Sequence, residues 1–239
     1  MNDARRPARR AILLAAAVAL TACQRSVPAD GDGLRFPAPA RPVARIVASA
    51  YSDEQTRDRN GEAERVMDRL AIRAGGRAAD LGAGDGYYTV RLARRLGPAA
   101  TLYAEDVQAD TLKGLEARLR REGINGVHIV LGAPRDPRLP PASIDVAILS
   151  HMYHEIENPY EFLYRLRPAL GPNARVGILD ADRPTQDHGT PPALLRCELE
   201  AVGYRQVDFL RLDPAEGYLA VFAPPDALPR PETIIPCRP

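Results

Sequence analysis

Three glycines at alternate positions, Gly82, Gly84 and Gly86, follow Asp80 and carry the first chemical signal of the chain. A turn of that composition uses backbone angles closed to residues with a Cβ, and it lets a ligand lie directly on the main chain. The spacing narrows the ligand. A dinucleotide fingerprint needs Gly-x-Gly-x-x-Gly, and its third glycine would fall at Tyr87. Further on, Glu105-Asp106 lies some 20 positions past Gly86, where a carboxylate can accept hydrogen bonds from both hydroxyls of a ribose. Asp106 is the favoured acceptor and Glu105 the alternative. A second cluster, Ser150-His151-Met152-Tyr153-His154-Glu155, holds two of the four histidines, a tyrosine and a carboxylate. Either His151 or His154 could act as a general base with a pKa near working pH.

These residues need elements to position them. Apolar and polar periodicity places strands at 77–81, 101–105, 127–131, 144–149 and 175–179, with helices at 88–96, 111–122, 159–170 and 192–202 between and after them. Gly97-Pro98, Gly123, Gly171-Pro172 and Gly203 read as helix stops. A charged segment, 52–70, reads as one helix over the ligand mouth. Two last strands, 205–210 and 217–222, have only a short link between them and so must be antiparallel neighbours. The whole reads as an α/β fold: a doubly wound, mostly parallel seven-stranded sheet with an antiparallel terminal hairpin. In such a sheet ligands sit at the carboxyl ends of the strands, where the glycine loop, Glu105-Asp106 and the 150–155 cluster all fall.

The run from Asp80 to Gly86 resembles motif I of the class I S-adenosylmethionine-dependent methyltransferases, and the resemblance extends over roughly residues 46–223. In that family the glycine loop cradles the amino-acid end and sugar of the cofactor. The resemblance therefore implies S-adenosyl-L-methionine as cofactor, held by Asp80, Gly82, Gly84, Gly86 and Asp106. It also implies an acidic residue after the third strand on the adenine amine, for which Asp136 is the candidate. His151, Tyr153 and His154 would face the methyl group, with one of the three needed for chemistry. The segment 145–159 is similar to a group of bacterial methyltransferase-like proteins with a Tyr-His-His or Tyr-His-Glu signature there. Methyl transfer from a sulfonium is an in-line displacement, so the protein mainly aligns donor and acceptor.

Composition excludes some partners. The net charge is +1, and Lys113 is the only lysine beside many arginines, so no global field draws nucleic acid. There is no tryptophan and no basic stripe with interleaved aromatics, which leaves a small molecule as the expected acceptor. Residues 1–23 read as a lipoprotein-type signal peptide: Arg5, Arg6, Arg9 and Arg10 precede an apolar run, Ala11 to Leu20, too short for the roughly 20 residues of a span. Leu20-Thr21-Ala22-Cys23 resembles the bacterial lipobox, which implies a lipid on Cys23 and a place in the cell envelope, on the periplasmic side; a cytoplasmic protein is the alternative. Residues 24–45, rich in Pro, Ala, Gly and Asp, read as a flexible linker, and 224–239 as a C-terminal tail. Cys197 and Cys237 could pair in an oxidising compartment or stand as separate thiols.

Two other functions remain compatible with the sequence. Since S-adenosylmethionine is made in the cytoplasm, an exported domain could be a non-catalytic envelope protein that binds a nucleoside-like ligand in the same cleft. A metal-dependent hydrolase would use His151 and His154, with Glu155 and a third ligand from His188, Asp182 or Asp187, although no spacing rule selects these.

Overall fold

The computed structural model describes residues 33–46, 54–212 and 217–238. The signal peptide, Cys23 and the turn 213–216 lie outside the described residues. The elements run α1 (Glu54–Arg59), α2 (Glu62–Arg69), β1 (Arg77–Leu81), α3 (Tyr87–Leu96), β2 (Thr101–Asp106), α4 (Ala109–Arg121), β3 (Val127–Leu131), β4 (Ile144–Ser150), α5 (Pro159–Leu166), β5 (Leu170–Asp180), α6 (Pro192–Ala201), β6 (Arg205–Arg211) and β7 (Tyr218–Ala223). The strands form one seven-stranded sheet in the order β3-β2-β1-β4-β5-β7-β6. β1 through β5 pair in parallel, and β7 inserts between β5 and β6, antiparallel to both. This is the doubly wound sheet with a terminal antiparallel pair that the sequence predicts.

Alternate residues of the central strands feed two different cores. Ala79, Leu81, Ala147, Leu149 and Ile178 pack on the face covered by α5 and α6, with Phe162, Leu166, Leu195 and Leu199. Ala78, Ile148 and Leu179 pack on the opposite face, against Val66 and Met67 of α2 and Tyr88 and Leu92 of α3. Leu112, Leu115 and Leu119 of α4 extend that second face over β2. Strands buried on both sides read as near-continuous apolar runs, as β4 does over Val146-Ala147-Ile148-Leu149, with Asp145 turned outward.

Three expectations change. The segment 52–70 is two helices rather than one, because Gly61 takes a left-handed backbone (φ +65°) and restarts the chain at α2. The helix expected over 159–170 gives way after Leu166 to a 3₁₀ turn at Arg167–Ala169, and Gly171-Pro172 already belongs to β5. The register between β4 and β5 slips from Ile144–Leu170 to Val146–Arg175, and that bulge accommodates a proline inside a strand.

The third change is the linker. Its last part, from residue 33, lies against the domain: Phe36, Arg41 and Ala44 are buried. Phe36 meets Tyr164 edge-on at 5.1 Å. Arg41 forms a buried ion pair with Glu198 of α6 at 2.9 Å. Average composition misses one aromatic and one arginine that find partners far away in sequence. The other end is also fixed. Cys197 of α6 and Cys237 form a disulfide, and the Cys237 N–H donates to the Tyr160 hydroxyl at 2.8 Å.

Candidate active site

A cavity of about 750 Å³ opens at the carboxyl ends of β1, β2 and β4. Its floor is the loop Gly82-Ala83-Gly84-Asp85; Asp106 and Gln108 stand on one side, and Ser150, His151 and Met152 on another. Arg57 of α1 and the segment Val43–Ile46 also line it.

The glycine loop divides its work. Gly84 has φ +54°, and a Cβ there would project into open space, so its main chain faces the cavity bare. Its N–H donates to Asp106 at 3.1 Å, which ties the loop to the end of β2. Gly86 has φ +86° and starts α3; a Cβ there would overlap Leu115 of α4. One glycine thus serves the ligand face and the other the helix packing. Asp80 does not line the cavity. It is buried beneath the loop, where it accepts a 2.6 Å hydrogen bond from the Thr89 hydroxyl and ties β1 to α3. Burial pushes its carboxyl up to about 6, with the Thr89 bonds opposing.

Asp106 and Glu105 both line the cavity but differ in kind. Asp106 also accepts the Gln108 N–H at 2.8 Å, which fixes its carboxylate at the cavity edge. Glu105 is buried; the Gly82 N–H approaches its Oε2 at 3.4 Å, and its Oε1 has no hydrogen-bond partner among the described residues. Burial, reinforced by the charge of Asp106, pushes the Glu105 carboxyl up to about 8, so it is mostly protonated at neutral pH. The accessible acceptor suited to a diol is therefore the half-buried Asp106. Asp136 is a correction. It lies off the cavity in a tight turn that pairs it with Ala133 through the backbone, and its Oδ1 accepts the Arg138 N–H at 2.8 Å. Ala133 and Pro134 are the loop residues that reach the cavity wall.

The cluster after β4 is split by its backbone. His151 sits in the left-handed region (φ +52°), and its N–H donates to Leu179 O at 2.8 Å. His151 lines the cavity, with its ring Nδ1 buried in the wall. Burial holds its pKa below the ordinary imidazole value, with Asp180 opposing, so the ring favours the neutral, proton-accepting form. A strained non-glycine backbone beside a cavity is a mark of functional geometry. Tyr153–Glu155 form a 3₁₀ turn, whose threefold repeat sends successive side chains in three directions. Glu155 reaches the cavity. Tyr153 turns into the core and donates to Glu198 at 2.9 Å. His154 turns under β5, fully buried, with Nδ1 at 3.0 Å from Asp180. Tyr153 and His154 therefore do not face the cavity, contrary to expectation, and His151 alone of the three does.

The structure also supplies groups that the sequence pattern did not single out. Arg57 stacks over the Tyr87 ring at 3.6 Å, pairs with buried Glu62 at 2.6 Å and donates to the Ser150 hydroxyl at 3.0 Å. This places a held guanidinium at the cavity wall beside the glycine loop. Arg41 donates to the carbonyls of Tyr153 and His154 at 3.4 and 3.3 Å, and the Ala44 N–H donates to the His154 carbonyl at 3.1 Å. The N-terminal segment thus braces the turn that carries His154 and Glu155. No local signal marks either arginine, since both act through partners distant in sequence.

Comparison with known proteins bears on the domain and its fold. Residues 79–178 match the model of a methyltransferase domain. A demethylmenaquinone methyltransferase of Lactobacillus johnsonii is 24% identical over 53% of this chain and 52% of its own, and one of Geobacillus kaustophilus is 24% identical over 51% and 52%. The chain spans about half the length of these curated relatives. Among solved structures, an S-adenosylmethionine-dependent methyltransferase of Aquifex aeolicus superposes with a TM-score of 0.63 at 20% identity, covering 72% of this chain and 97% of that one. The [4+2]-cyclase SpnF superposes with a TM-score of 0.58 at 19% identity, covering 74% and 67%. The fold is that of the class I methyltransferases.

Proposed function

We propose that the protein is an envelope-located S-adenosylmethionine-dependent methyltransferase acting on an unidentified small-molecule acceptor. The observation that carries this reading is the cavity itself: Gly84 bare on its floor, Asp106 fixed on one side and His151 on another. Gly82–Asp85 would hold the amino-acid end of the cofactor, with Arg57 near its carboxylate. Asp106 would accept the ribose hydroxyls, and Ala133 and Pro134 would flank the adenine. The bound cofactor supplies an activated methyl sulfonium. His151 takes the proton from an acceptor hydroxyl, phenol or amine as the new bond forms, and Met152 and Phe162 help exclude water from that side. The demethylmenaquinone named for the relatives is one acceptor to try. The test is a screen of phenols, thiols, amines and carboxylates, followed by formation of S-adenosylhomocysteine. Acceptor-dependent product that His151→Asn slows by roughly 10²–10⁴ supports the reading; cofactor binding with no product from any acceptor favours a ligand-binding protein instead.

The location belongs to the same proposal. The lipobox-like Cys23 and the Cys197–Cys237 bridge both support an envelope lipoprotein in an oxidising compartment. Among the described residues no helix is long and apolar enough to cross a membrane.

A further inference from the structure

Behind the cavity wall stands a second group of chemically capable side chains that the methyl-transfer reading does not use. One ligand-type atom each from His154, Glu155 and His188 lies within 4.8 Å of the others. The three come from two elements: the 3₁₀ turn after β4, and the end of a 3₁₀ turn at Thr185–Asp187 after β5. The His154 and His188 rings meet edge-on at 5.5 Å.

His154 is pre-oriented as a metal-binding imidazole is. The Asp180 carboxylate already accepts the Ala181 N–H at 2.9 Å and the Thr190 hydroxyl at 2.7 Å. The His154 Nδ1, 3.0 Å away, therefore donates to it, which leaves Nε2 as the lone-pair nitrogen of the ring. A carboxylate behind an imidazole fixes its tautomer and ring orientation, the arrangement seen in carboxylate–histidine–metal triads. Asp180, His154 and Thr190 are buried, so the support is rigid. His188 is held in the left-handed region (φ +58°), a backbone cost for a non-glycine residue. Its loop is anchored by the Thr185 hydroxyl, which donates to Pro42 O at 2.8 Å.

From this geometry we propose that His154, Glu155 and His188 bind one divalent transition-metal ion of the zinc type, with Asp180 as the supporting carboxylate. Two imidazoles and a carboxylate suit zinc and leave a coordination position for water or another ligand. The site differs from the metal set considered from sequence: His151 is not part of it, and Asp182 pairs with Arg211 at 3.2 Å. Because Glu155 also lines the cavity, the ion would stand at the cavity wall. The proposal does not depend on methyl transfer, since metal uptake is read directly.

The test is titration of untagged, metal-stripped full-length protein with Zn²⁺, and with Co²⁺ as a spectroscopic probe. Wild type should take up one equivalent, with Co²⁺ bands of a nitrogen–oxygen site. His188→Ala and Glu155→Gln, both only partly buried, should weaken uptake at least tenfold, and Asp180→Asn by roughly 10–100-fold. His128→Ala, which removes a ring stacked on Tyr103 elsewhere, should change nothing. Should His154→Ala fail to fold, His188→Ala and Glu155→Gln still decide the matter. No stoichiometric uptake by folded wild type, or unchanged uptake by both of those variants, would overturn the site.

Discussion

His151 and His154 differ by three positions, and one strained residue followed by a 3₁₀ turn leaves His151 in the cavity wall and sends His154 into the interior against Asp180 at the end of β5. The consequence for catalysis is specific. Asparagine tolerates the left-handed backbone that His151 occupies, so His151→Asn should keep the fold while removing the base. Turnover should fall by roughly 10²–10⁴ while cofactor affinity stays within about tenfold, as steady-state rates and calorimetry would show. Glu105 makes a different prediction. Its folded pKa, pushed up to about 8, lies above the ordinary carboxyl value of 4.5. The stability tied to its protonated form is complete below pH 4.5 and is lost as pH rises toward 8. Urea unfolding of wild type against Glu105→Gln should show wild type losing ground by up to roughly 4 kcal/mol across that window, and parallel curves would contradict the assignment. The sequence showed Gly84 and Asp106 because local spacing encodes them. It could not separate His151 from Tyr153 and His154, because a six-residue string does not reveal where each side chain turns.

At the scale of elements, periodicity recovered every strand and, apart from the split at Gly61 and the early end at Leu166, the helices around the sheet, since each buries an apolar face that the chain must spell out. It missed the packing of residues 33–46, whose contacts are single and distant. Arg41 shows the cost of that miss. Its guanidinium and the Glu198 carboxylate are both fully buried and form one pair, and Tyr153 donates to the same carboxylate. Burial raises the Glu198 pKa, and Arg41 opposes that rise. Arg41→Ala would leave a buried carboxyl without its cation, at a cost of roughly 3–5 kcal/mol in chemical denaturation. It should also loosen the Tyr153–Glu155 turn, whose carbonyls Arg41 holds. A change below about 0.5 kcal/mol would show that the segment merely rests on the domain.

At the scale of the molecule, fold and compartment pull on the same question. The Cys197–Cys237 bridge closes a loop of 40 positions, and its reduction should cost roughly 2–4 kcal/mol of stability. In a Gram-negative host the full chain should fractionate with membranes, oxidised and acylated, and Cys23→Ser should release it. Reduced, unmodified protein in the soluble cytoplasm would contradict export and would place the domain where the cofactor is made. In either compartment the central claim is that the cleft binds S-adenosylmethionine, and calorimetric titration with S-adenosylmethionine and S-adenosylhomocysteine tests it most directly. Both should bind one per chain, and Asp106→Ala should weaken binding by roughly 1–3 kcal/mol, because two ribose hydroxyls lose a charged acceptor. Folded wild type that binds neither form at about millimolar concentration, where even a weak interaction of roughly 4 kcal/mol would register, would contradict it.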